Sequence, residues 1–293
     1  MNAANPLPIA LHEDVALFRE ALRFTAAETG FISRLIEKDY FCTLVLQHLC
    51  ESDSTLIFKG GTCLAKVHAG FYRLSEDLDF SISMSTDSVR SARSRAAGAF
   101  KAAIRAMPTR MHPLTIVEPV SGANGSKQYA ATVGYDSLLA ANRETIKVEV
   151  GLREPILTPT ETADARTLLL DPVRGGRMIR SVRLPCISHN EAMAEKFRAA
   201  LTRRDVAIRD FYDIDHATRN LGVNPLQPDL LGLIRAKVAV PDNGPVDVSE
   251  SRFVALRQQL DAQLKPVLRH QDFSRFELDR VFDVVRAVAR FIA

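Results

Sequence analysis

The residues best suited to chemistry lie in two short segments of the first third of the chain. One is a glycine turn, Lys59-Gly60-Gly61-Thr62, and the other carries two acids, Asp77 and Asp79, on either side of a leucine. Glycine lets the backbone approach a phosphate closely, and a helix that starts at such a turn favours an anion at its N-terminus. Acids at positions i and i+2 of a strand point to the same face, where they can share a divalent cation. Together the two segments predict a metal-dependent nucleotide site.

A third acid, Glu149, lies in a run that alternates between apolar and polar residues. The apolar residues of segment 146–150 share one face of the predicted strand, and Glu149 lies on the opposite face. A carboxylate close to the first two acids would complete a two-metal site for phosphoryl transfer. The alternative is that all three acids are ordinary surface residues of strands or strand ends.

Several basic and polar side chains could bind the phosphates of such a substrate. Lys196 borders the apolar stripe of a predicted helix, and Asp210 lies at the start of the next one. A lysine aimed at a phosphate would offset the charge that develops on a leaving group, and Asp210 would orient that lysine or the substrate. The alternative is an ion pair on the helix surface. Arg73 and Ser75 precede the acids and would brace their loop or contact phosphate.

The hydrophobic pattern predicts a fold that could bring these residues together. Helical spacing runs through residues 12–50, a short strand at 56–58 leads into the glycine turn, and strand alternation begins at Leu78. The next predicted elements are a helix over 86–107, strands near 114–119, 128–136 and 146–150, and a short strand at 178–184 within a loop-rich connector over 151–185.

The later part of the chain is predicted to be helical. A helix begins at Ser188, which stands three residues before Glu191 as in a capping box. Further helices are predicted over 209–221, 252–264 and 274–292. The fold class expected is therefore α+β, with a mixed β-sheet core flanked by N-terminal helices and followed by a C-terminal helical bundle. The expected domains are residues 1–185 and 186–293.

Bulk properties exclude several classes of protein. The net charge is +3, from 38 Lys and Arg against 35 Asp and Glu, which is too small for a protein that coats DNA regardless of sequence. No segment reaches the roughly 18 apolar residues that a membrane span needs, and the start lacks the pattern of a secretory signal. We therefore expect a cytoplasmic protein with no membrane partner.

The thiols and imidazoles show no metal-binding spacing. The four cysteines form no CxxC pair, and the histidines show no HxxxH pattern. The spacing therefore predicts no zinc site and structural roles for the histidines, and the apolar surroundings of Cys42 and Cys63 predict buried free thiols. The residues concerned are Cys42, Cys50, Cys63 and Cys186, with His68, His112 and His189 among the histidines.

The motifs taken together resemble those of the AbiEii/AbiGii toxin family, which includes the MenT toxins. The resemblance runs from about Glu37 to Leu221 and covers most of the chain. The segments that carry it, in order, are Glu37-Lys38-Asp39-Tyr40, Lys59-Gly60-Gly61-Thr62, the acid motif over 73–80, the strand over 146–150, and the late lysine and RD-x-x-D motifs over 195–200 and 209–213. The third acid is Glu, where relatives of polymerase β often carry Asp.

The resemblance implies a toxin with a polymerase-β-like nucleotidyltransferase core. It implies Mg²⁺ or Mn²⁺ as cofactor, an NTP substrate and an RNA acceptor, the tRNA 3′ end, whose modification blocks translation. It also implies a cognate antitoxin, a separate protein with a winged-helix DNA-binding domain. The expected metal ligands are Asp77, Asp79 and Glu149. The expected phosphate-binding residues are Lys59, Gly60, Gly61, Thr62, Arg73 and Ser75. The expected catalytic residues are the three acids with Lys196 and Asp210.

Two other hypotheses remain open from the sequence. The same chemistry could place AMP on a protein hydroxyl, since the near-neutral net charge does not require a nucleic-acid partner. Alternatively, the chain could be an inactive nucleotide-binding or partner-binding module on a decayed scaffold. The intact acids and Lys196 argue against decay.

Overall fold

The computed structural model describes residues 10–140 and 142–292. The chain divides into two compact units. The first contains the described residues up to Pro155 together with Thr160–Cys186, and the second contains Ile156–Pro159 together with the described residues from Ile187 onward. The chain therefore enters the second unit briefly at Ile156–Pro159 before it leaves the first unit after Cys186.

One mixed β-sheet forms the centre of the first unit. In the described residues its strands are β1 (Ile57–Lys59), β2 (Leu78–Ser81), β3 (Thr115–Ala123), β4 (Gln128–Asp136), β5 (Arg143–Gly151), β6 (Glu161–Ala165) and β7 (Val182–Cys186). Their order across the sheet is β3-β4-β5-β2-β1-β7-β6. Strands β2 and β5 are parallel, as are β1 and β7, and the other neighbouring pairs are antiparallel. The two earliest strands thus lie at the middle of the sheet, between strands that come later in the chain.

Helices of the first unit accompany this sheet. They are α1 (Val15–Thr29), α2 (Ser33–Ser52), α3 (Gly60–Cys63), α4 (Arg90–Ala96) and α5 (Gly98–Arg110). Asp14 caps α1 by accepting a hydrogen bond from the Leu17 N–H at 3.0 Å, and Gly30 ends it in the left-handed conformation. On α2, the buried ring of Phe41 stacks on Tyr135 of β4 with 3.9 Å between ring centroids. The N-terminal helices are therefore part of the hydrophobic core of this unit.

The strand, glycine turn and helix expected around residue 60 are all present. Strand β1 ends at Lys59, and Gly60 turns the chain with a φ of +75°. Helix α3 then continues as a π-helical turn, Leu64–Ala69, which ends at Gly70 with a φ of +70°. Both glycines occupy the left-handed region that side chains with a Cβ rarely adopt.

The connector over 151–185 contains one strand more than the sequence predicts. The predicted strand at 178–184 corresponds to β7, which begins later, at Val182. Strand β6 was not predicted, because most of its residues are polar and exposed and show no apolar alternation. It lies at the edge of the sheet and pairs antiparallel with β7 alone. Such an edge strand can form with little apolar side-chain burial.

The second unit is helical over its described residues. Its helices are α6 (His189–Thr202), α7 (Ile208–Asn220), α8 (Pro228–Val238), α9 (Glu250–Gln258), α10 (His270–Ser274) and α11 (Leu278–Ile292). Helix α8 was not predicted. It begins at Pro228, a favoured first helical residue, and buries Lys237 completely. Leu230, Leu231 and Ile234 form the apolar stripe of α8, and Lys237 continues that stripe as a buried charge.

The start of α6 is capped as the sequence predicts, but only in one direction. The Ser188 hydroxyl accepts a hydrogen bond from the Glu191 N–H at 3.2 Å. The Glu191 carboxylate does not return to Ser188. It accepts instead from the N–H groups of Leu157 and Thr158, each at 2.8 Å. Glu191 therefore fixes the segment Ile156–Pro159 within the second unit.

The predicted fold class is confirmed. The chain is α+β, with a mixed sheet flanked by N-terminal helices in the first unit and a bundle of C-terminal helices in the second. Among the described residues, none of the helices combines the length and apolar character required to cross a bilayer.

Candidate functional site

Three neighbouring strands place their polar residues on one face of the sheet. Lys59 of β1 pairs with Asp79 of β2, and Asp79 pairs in turn with Glu149 of β5. The residues that flank these three along each strand point to the other face and are buried, as Phe58 and Val148 illustrate. Directly paired residues share a face, so the two carboxylates lie side by side. Both acids are only half-buried and are accessible to a substrate.

Asp77 joins these two acids from the segment just before β2. The Lys147 ammonium lies 2.7 Å from Glu149 Oε1, and this hydrogen bond raises the pKa of Lys147. The negative charges of Glu149, Asp77 and Asp79 raise the pKa of Lys147 further, against the opposing effect of partial burial. One ammonium therefore lies in the field of all three predicted metal ligands, and the structure brings the three acids together.

The glycine turn packs directly against the acids. A Cβ added to Gly60 would lie 2.3 Å from Asp79 Oδ2, and one added to Gly61 would lie 2.5 Å from the Arg73 guanidinium and 3.4 Å from the Ser75 hydroxyl. Only glycine leaves room for this approach. The glycine turn therefore lies between Asp79 on one side and Arg73 and Ser75 on the other.

Two of the predicted phosphate-binding side chains also hold the acid segment in place. The Thr62 hydroxyl donates a short hydrogen bond to the Asp77 carbonyl, and its side chain is buried. Arg73 is likewise buried and donates to the Leu74 carbonyl at 3.3 Å. Lys59 remains half-buried, with its ammonium 3.6 Å from a Glu154 carboxylate oxygen. Thr62 and Arg73 thus brace the loop, which is one of the two roles that the sequence suggests for Arg73.

Helix α2 also stabilises the segment that carries Asp77. Lys38 donates to Glu76, next to Asp77 in the chain, at 3.0 Å. Asp39 pairs with the buried Lys66 ammonium at 2.6 Å and so fixes the π-helical turn that follows the glycines. The motif Glu37-Lys38-Asp39-Tyr40 is therefore structural: it positions the turn and the acids from inside the core.

The arrangement fits a hard divalent cation. Its donor set consists of carboxylate oxygens, which Mg²⁺ and Mn²⁺ prefer. Glu149 Oε1 also accepts a hydrogen bond from Gln128 at 3.1 Å, which restrains its carboxylate. The Lys147 ammonium already compensates part of the local negative charge, as a cation would.

The late lysine motif forms its own ion-pair cluster in the second unit. Lys196 of α6 lies 2.8 Å from Asp210 Oδ1 and 2.8 Å from Asp213 Oδ2, and Asp210 also pairs with Arg203 at 3.4 Å. The predicted pairing of Lys196 with Asp210 is thus present. Asp213 was absent from the predicted site, although its position three residues after Asp210 places both on one helix face. The catalytic assignment of Lys196 and Asp210 stays a prediction.

The comparisons with known proteins agree with this architecture. MenT4, a nucleotidyltransferase toxin from Mycobacterium tuberculosis H37Rv, superposes with a TM-score of 0.53 at 20% sequence identity, covering 98% of this chain and 99% of that chain. JHP933 from Helicobacter pylori gives a TM-score of 0.50 at 16% identity, covering 89% of this chain and 93% of that chain. At these identities the likeness shows the fold alone. No curated protein matches the chain.

Family membership rests on the sequence itself. Residues 44–285 match the family profile described as nucleotidyl transferase AbiEii toxin, type IV toxin–antitoxin system. That span includes the glycine turn, the three acids and the late lysine motif. The chain therefore belongs to the AbiEii family of nucleotidyltransferase toxins of type IV toxin–antitoxin systems.

Proposed function

We propose that this protein transfers a nucleotidyl group from an NTP to an RNA acceptor, the 3′ end of tRNA, and thereby blocks translation. The observation that carries the proposal is the register of β1, β2 and β5, which sets Asp79 between Lys59 and Glu149. The close packing of Gly60 against Asp79 supports it, because it joins a phosphate-binding turn to a metal-binding acid.

Asp77, Asp79 and Glu149 would hold Mg²⁺, with Mn²⁺ as a substitute. When bound, the cation would neutralise phosphate charge and lower the pKa of a nearby hydroxyl. Strand pairing and the buried face of the sheet, which fix the backbone of Asp79 and Glu149, support this assignment.

The other residues of the first unit would bind and orient the triphosphate. The backbone N–H groups at Gly60 and Gly61 would face its β- and γ-phosphates, with Ser75 beside them and Lys59 adding positive charge. The acceptor hydroxyl would attack the α-phosphorus in line with the leaving pyrophosphate. A new P–O bond would form as the α–β bridging bond breaks, and the hydroxyl proton would pass to Glu149.

The partner of the toxin would be a separate antitoxin. The family belongs to type IV toxin–antitoxin systems, which implies such a partner. We propose that it carries a winged-helix domain, as the family resemblance implies. A winged-helix protein encoded next to this chain would support that assignment.

The acceptor can be identified by labelling. The purified chain would be incubated with each α-labelled NTP, Mg²⁺, total RNA and total protein, and the two pools separated. We expect label in RNA of tRNA size, at the 3′ end, and inhibition of translation by the treated tRNA. Label confined to protein would favour AMP transfer to a hydroxyl. Absence of label from both pools with Mg²⁺ and Mn²⁺ would favour an inactive binding module.

A further inference from the structure

Two cysteines and a histidine form a second cluster in the first unit, distinct from the acids. The Sγ atoms of Cys63 and Cys186 and a ring nitrogen of His68 all lie within 4.8 Å of one another. Cys63 ends α3, directly after the glycine turn, and His68 lies in the π-helical turn that follows. Cys186 is the last residue of β7 and pairs with Phe58 of β1.

The fold brings these residues together by strand pairing that the sequence does not reveal. Strand β7 lies beside β1, and the chain after β1 turns back through the glycines. Both thiols are completely buried, whereas His68 is half-buried. The cluster is therefore a compact group of soft and borderline ligands with one side towards solvent.

The pKa of the Cys186 thiol differs in direction from the pKa values of Cys42 and Cys50. Burial raises the pKa of Cys42 to about 12, and burial likewise raises the pKa of Cys50 to about 12. The pKa of Cys186 is lowered to about 6, because the side chains of Cys63 and His68 hydrogen-bond to its sulfur and outweigh desolvation. A thiolate is the form that ligates a metal ion.

We propose that Cys63, His68 and Cys186 bind one thiophilic divalent cation of the Zn²⁺ class. Zinc bonds sulfur at about 2.3 Å and imidazole nitrogen at about 2.0–2.1 Å, so two sulfurs on one zinc are about 3.8 Å apart. The three ligand atoms already lie within 4.8 Å of one another, which exceeds that sulfur–sulfur separation by about 1 Å at most. Water takes the fourth position on the half-exposed side of His68.

Such a cation would tie the glycine turn to the sheet. Cys63 follows Thr62, so a metal shared with Cys186 would clamp the end of α3 to the end of β7. The site uses ligands of a different class from the carboxylates of Asp77, Asp79 and Glu149. The proposal is therefore independent of the proposed function, and either can fail without the other.

Cobalt titration of the whole chain tests the proposal without reference to activity. Co²⁺ substitutes for Zn²⁺, and a cysteine-ligated Co²⁺ gives a thiolate-to-metal charge-transfer band in the near ultraviolet. The protein would be reduced, stripped with a chelator and titrated anaerobically in excess Mg²⁺, which occupies carboxylate sites. We expect one equivalent of Co²⁺ to give the band and Zn²⁺ to abolish it.

Matched variants locate the site. Cys186→Ser should lose the charge-transfer band, and His68→Gln should bind Co²⁺ at least tenfold more weakly. Cys50→Ser, the same change outside the cluster, should retain the band. Circular dichroism would establish that each variant is folded. If Cys186→Ser does not fold, the wild-type titration and His68→Gln decide the matter.

Three outcomes would overturn the proposal. One is a wild-type protein that shows no band although all four thiols titrate as reduced after unfolding. Another is a folded Cys186→Ser variant with an undiminished band. The third is a Cys63–Cys186 disulfide in the untreated protein with no cobalt band after its reduction, which would make the pair a redox couple instead.

Discussion

Gly60 and Asp79 are in such close contact that no side chain fits between them. A Cβ on Gly60 would lie 2.3 Å from Asp79 Oδ2 and 2.8 Å from Asp79 Cβ. Gly60 also has a φ of +75°, in the region that favours glycine. The position of the glycine turn and the position of the predicted metal ligand are therefore one structural feature, and a change in either should disturb the other.

The first prediction concerns Gly60→Ala. We expect this change to lower the free energy of unfolding by about 1–2 kcal/mol through the left-handed backbone alone, and more through displacement of Asp79. The nucleotide-transfer activity of Gly60→Ala should also fall. The control is Gly98→Ala, where a new Cβ would meet no heavy atom within 4 Å. Urea unfolding and an NTP-labelling assay measure both effects. Equal stability and activity in the two variants would contradict the packing argument.

The second prediction concerns Lys147, whose ammonium group lies beside the predicted metal ligand Glu149. Lys147 Nζ contacts Glu149, and its pKa is raised by that contact and by the charges of Asp77 and Asp79. Lys147→Met should strengthen Mg²⁺ binding about fivefold, because a competing charge worth about 1 kcal/mol in a solvated setting is removed.

A magnesium titration of transfer activity would measure this effect. Lys265→Met serves as the control, since Lys265 is exposed and pairs only loosely with Asp261 at 3.6 Å. We expect its magnesium requirement to match that of the wild type. If Lys147→Met required the same Mg²⁺ concentration as the wild type, or a higher one, Lys147 and Mg²⁺ would not compete.

The third prediction concerns the buried ion pair beneath the glycine turn. Lys66 and Asp39 are nearly inaccessible and lie 2.6 Å apart, and Asp39 also accepts from the Thr167 hydroxyl and the Leu168 N–H. Asp39→Asn should lower the free energy of unfolding by about 3 kcal/mol, because it leaves a buried ammonium without its counter-ion. Asp136→Asn breaks the exposed ion pair with Arg143. This change should alter the free energy of unfolding by no more than about 0.5 kcal/mol. If chemical denaturation showed that Asp39→Asn and Asp136→Asn lose a comparable amount of stability, the structural role of Asp39 would be refuted.

The fourth prediction concerns pH and the second unit. Burial would raise the pKa of Glu191, but the bond from Lys237 and those from Thr158 and the Leu157 N–H hold this pKa below its ordinary value of 4.5. A carboxyl whose folded pKa lies below its unfolded pKa stabilises the fold above the unfolded pKa. That contribution disappears as the pH falls through the folded pKa.

As the pH falls below about 4.5, Glu191→Gln should therefore lose less of its stability than the wild type does. At pH 7 the variant should be about 1–3 kcal/mol less stable, since Lys237 loses one partner and keeps Glu195. Glu277→Gln, at an exposed acid of the same unit, is the control. Thermal melts across the acid range would measure the difference. Parallel curves for wild type and Glu191→Gln would rule out this linkage.

Local pattern was sufficient to place two of the three acids, Asp79 and Glu149, on strands, whereas Asp77 lies just before β2 and not at position i of the strand as predicted. Alternation predicted that Asp79 and Glu149 each lie opposite the buried face, and the glycine pair predicted the turn before α3. Which strands would be neighbours could not be deduced from spacing, because β2 and β5 are far apart in the sequence yet adjacent in the sheet. Their register, which sets the two acids side by side, is a tertiary property.

Two physical causes account for the residues that the sequence pattern does not reveal. Lys237 and Asp213 are charged residues that are buried with partners, whereas a charge in a sequence indicates a surface. Cys63 and Cys186 meet only because β7 pairs with β1. Pairing of this kind is invisible to periodicity, so the thiol cluster emerges from the fold alone.

The most direct test of the account is the transfer activity of Asp77→Ala. The variant would be verified as folded by circular dichroism and compared with Asp87→Ala, which alters an exposed turn residue a short distance along the chain. With labelled NTPs, Mg²⁺ and total RNA, we predict that Asp77→Ala loses activity by on the order of 10²–10³-fold or more, while Asp87→Ala keeps it. Full activity in folded Asp77→Ala would contradict the assignment of the acids as the metal-binding centre.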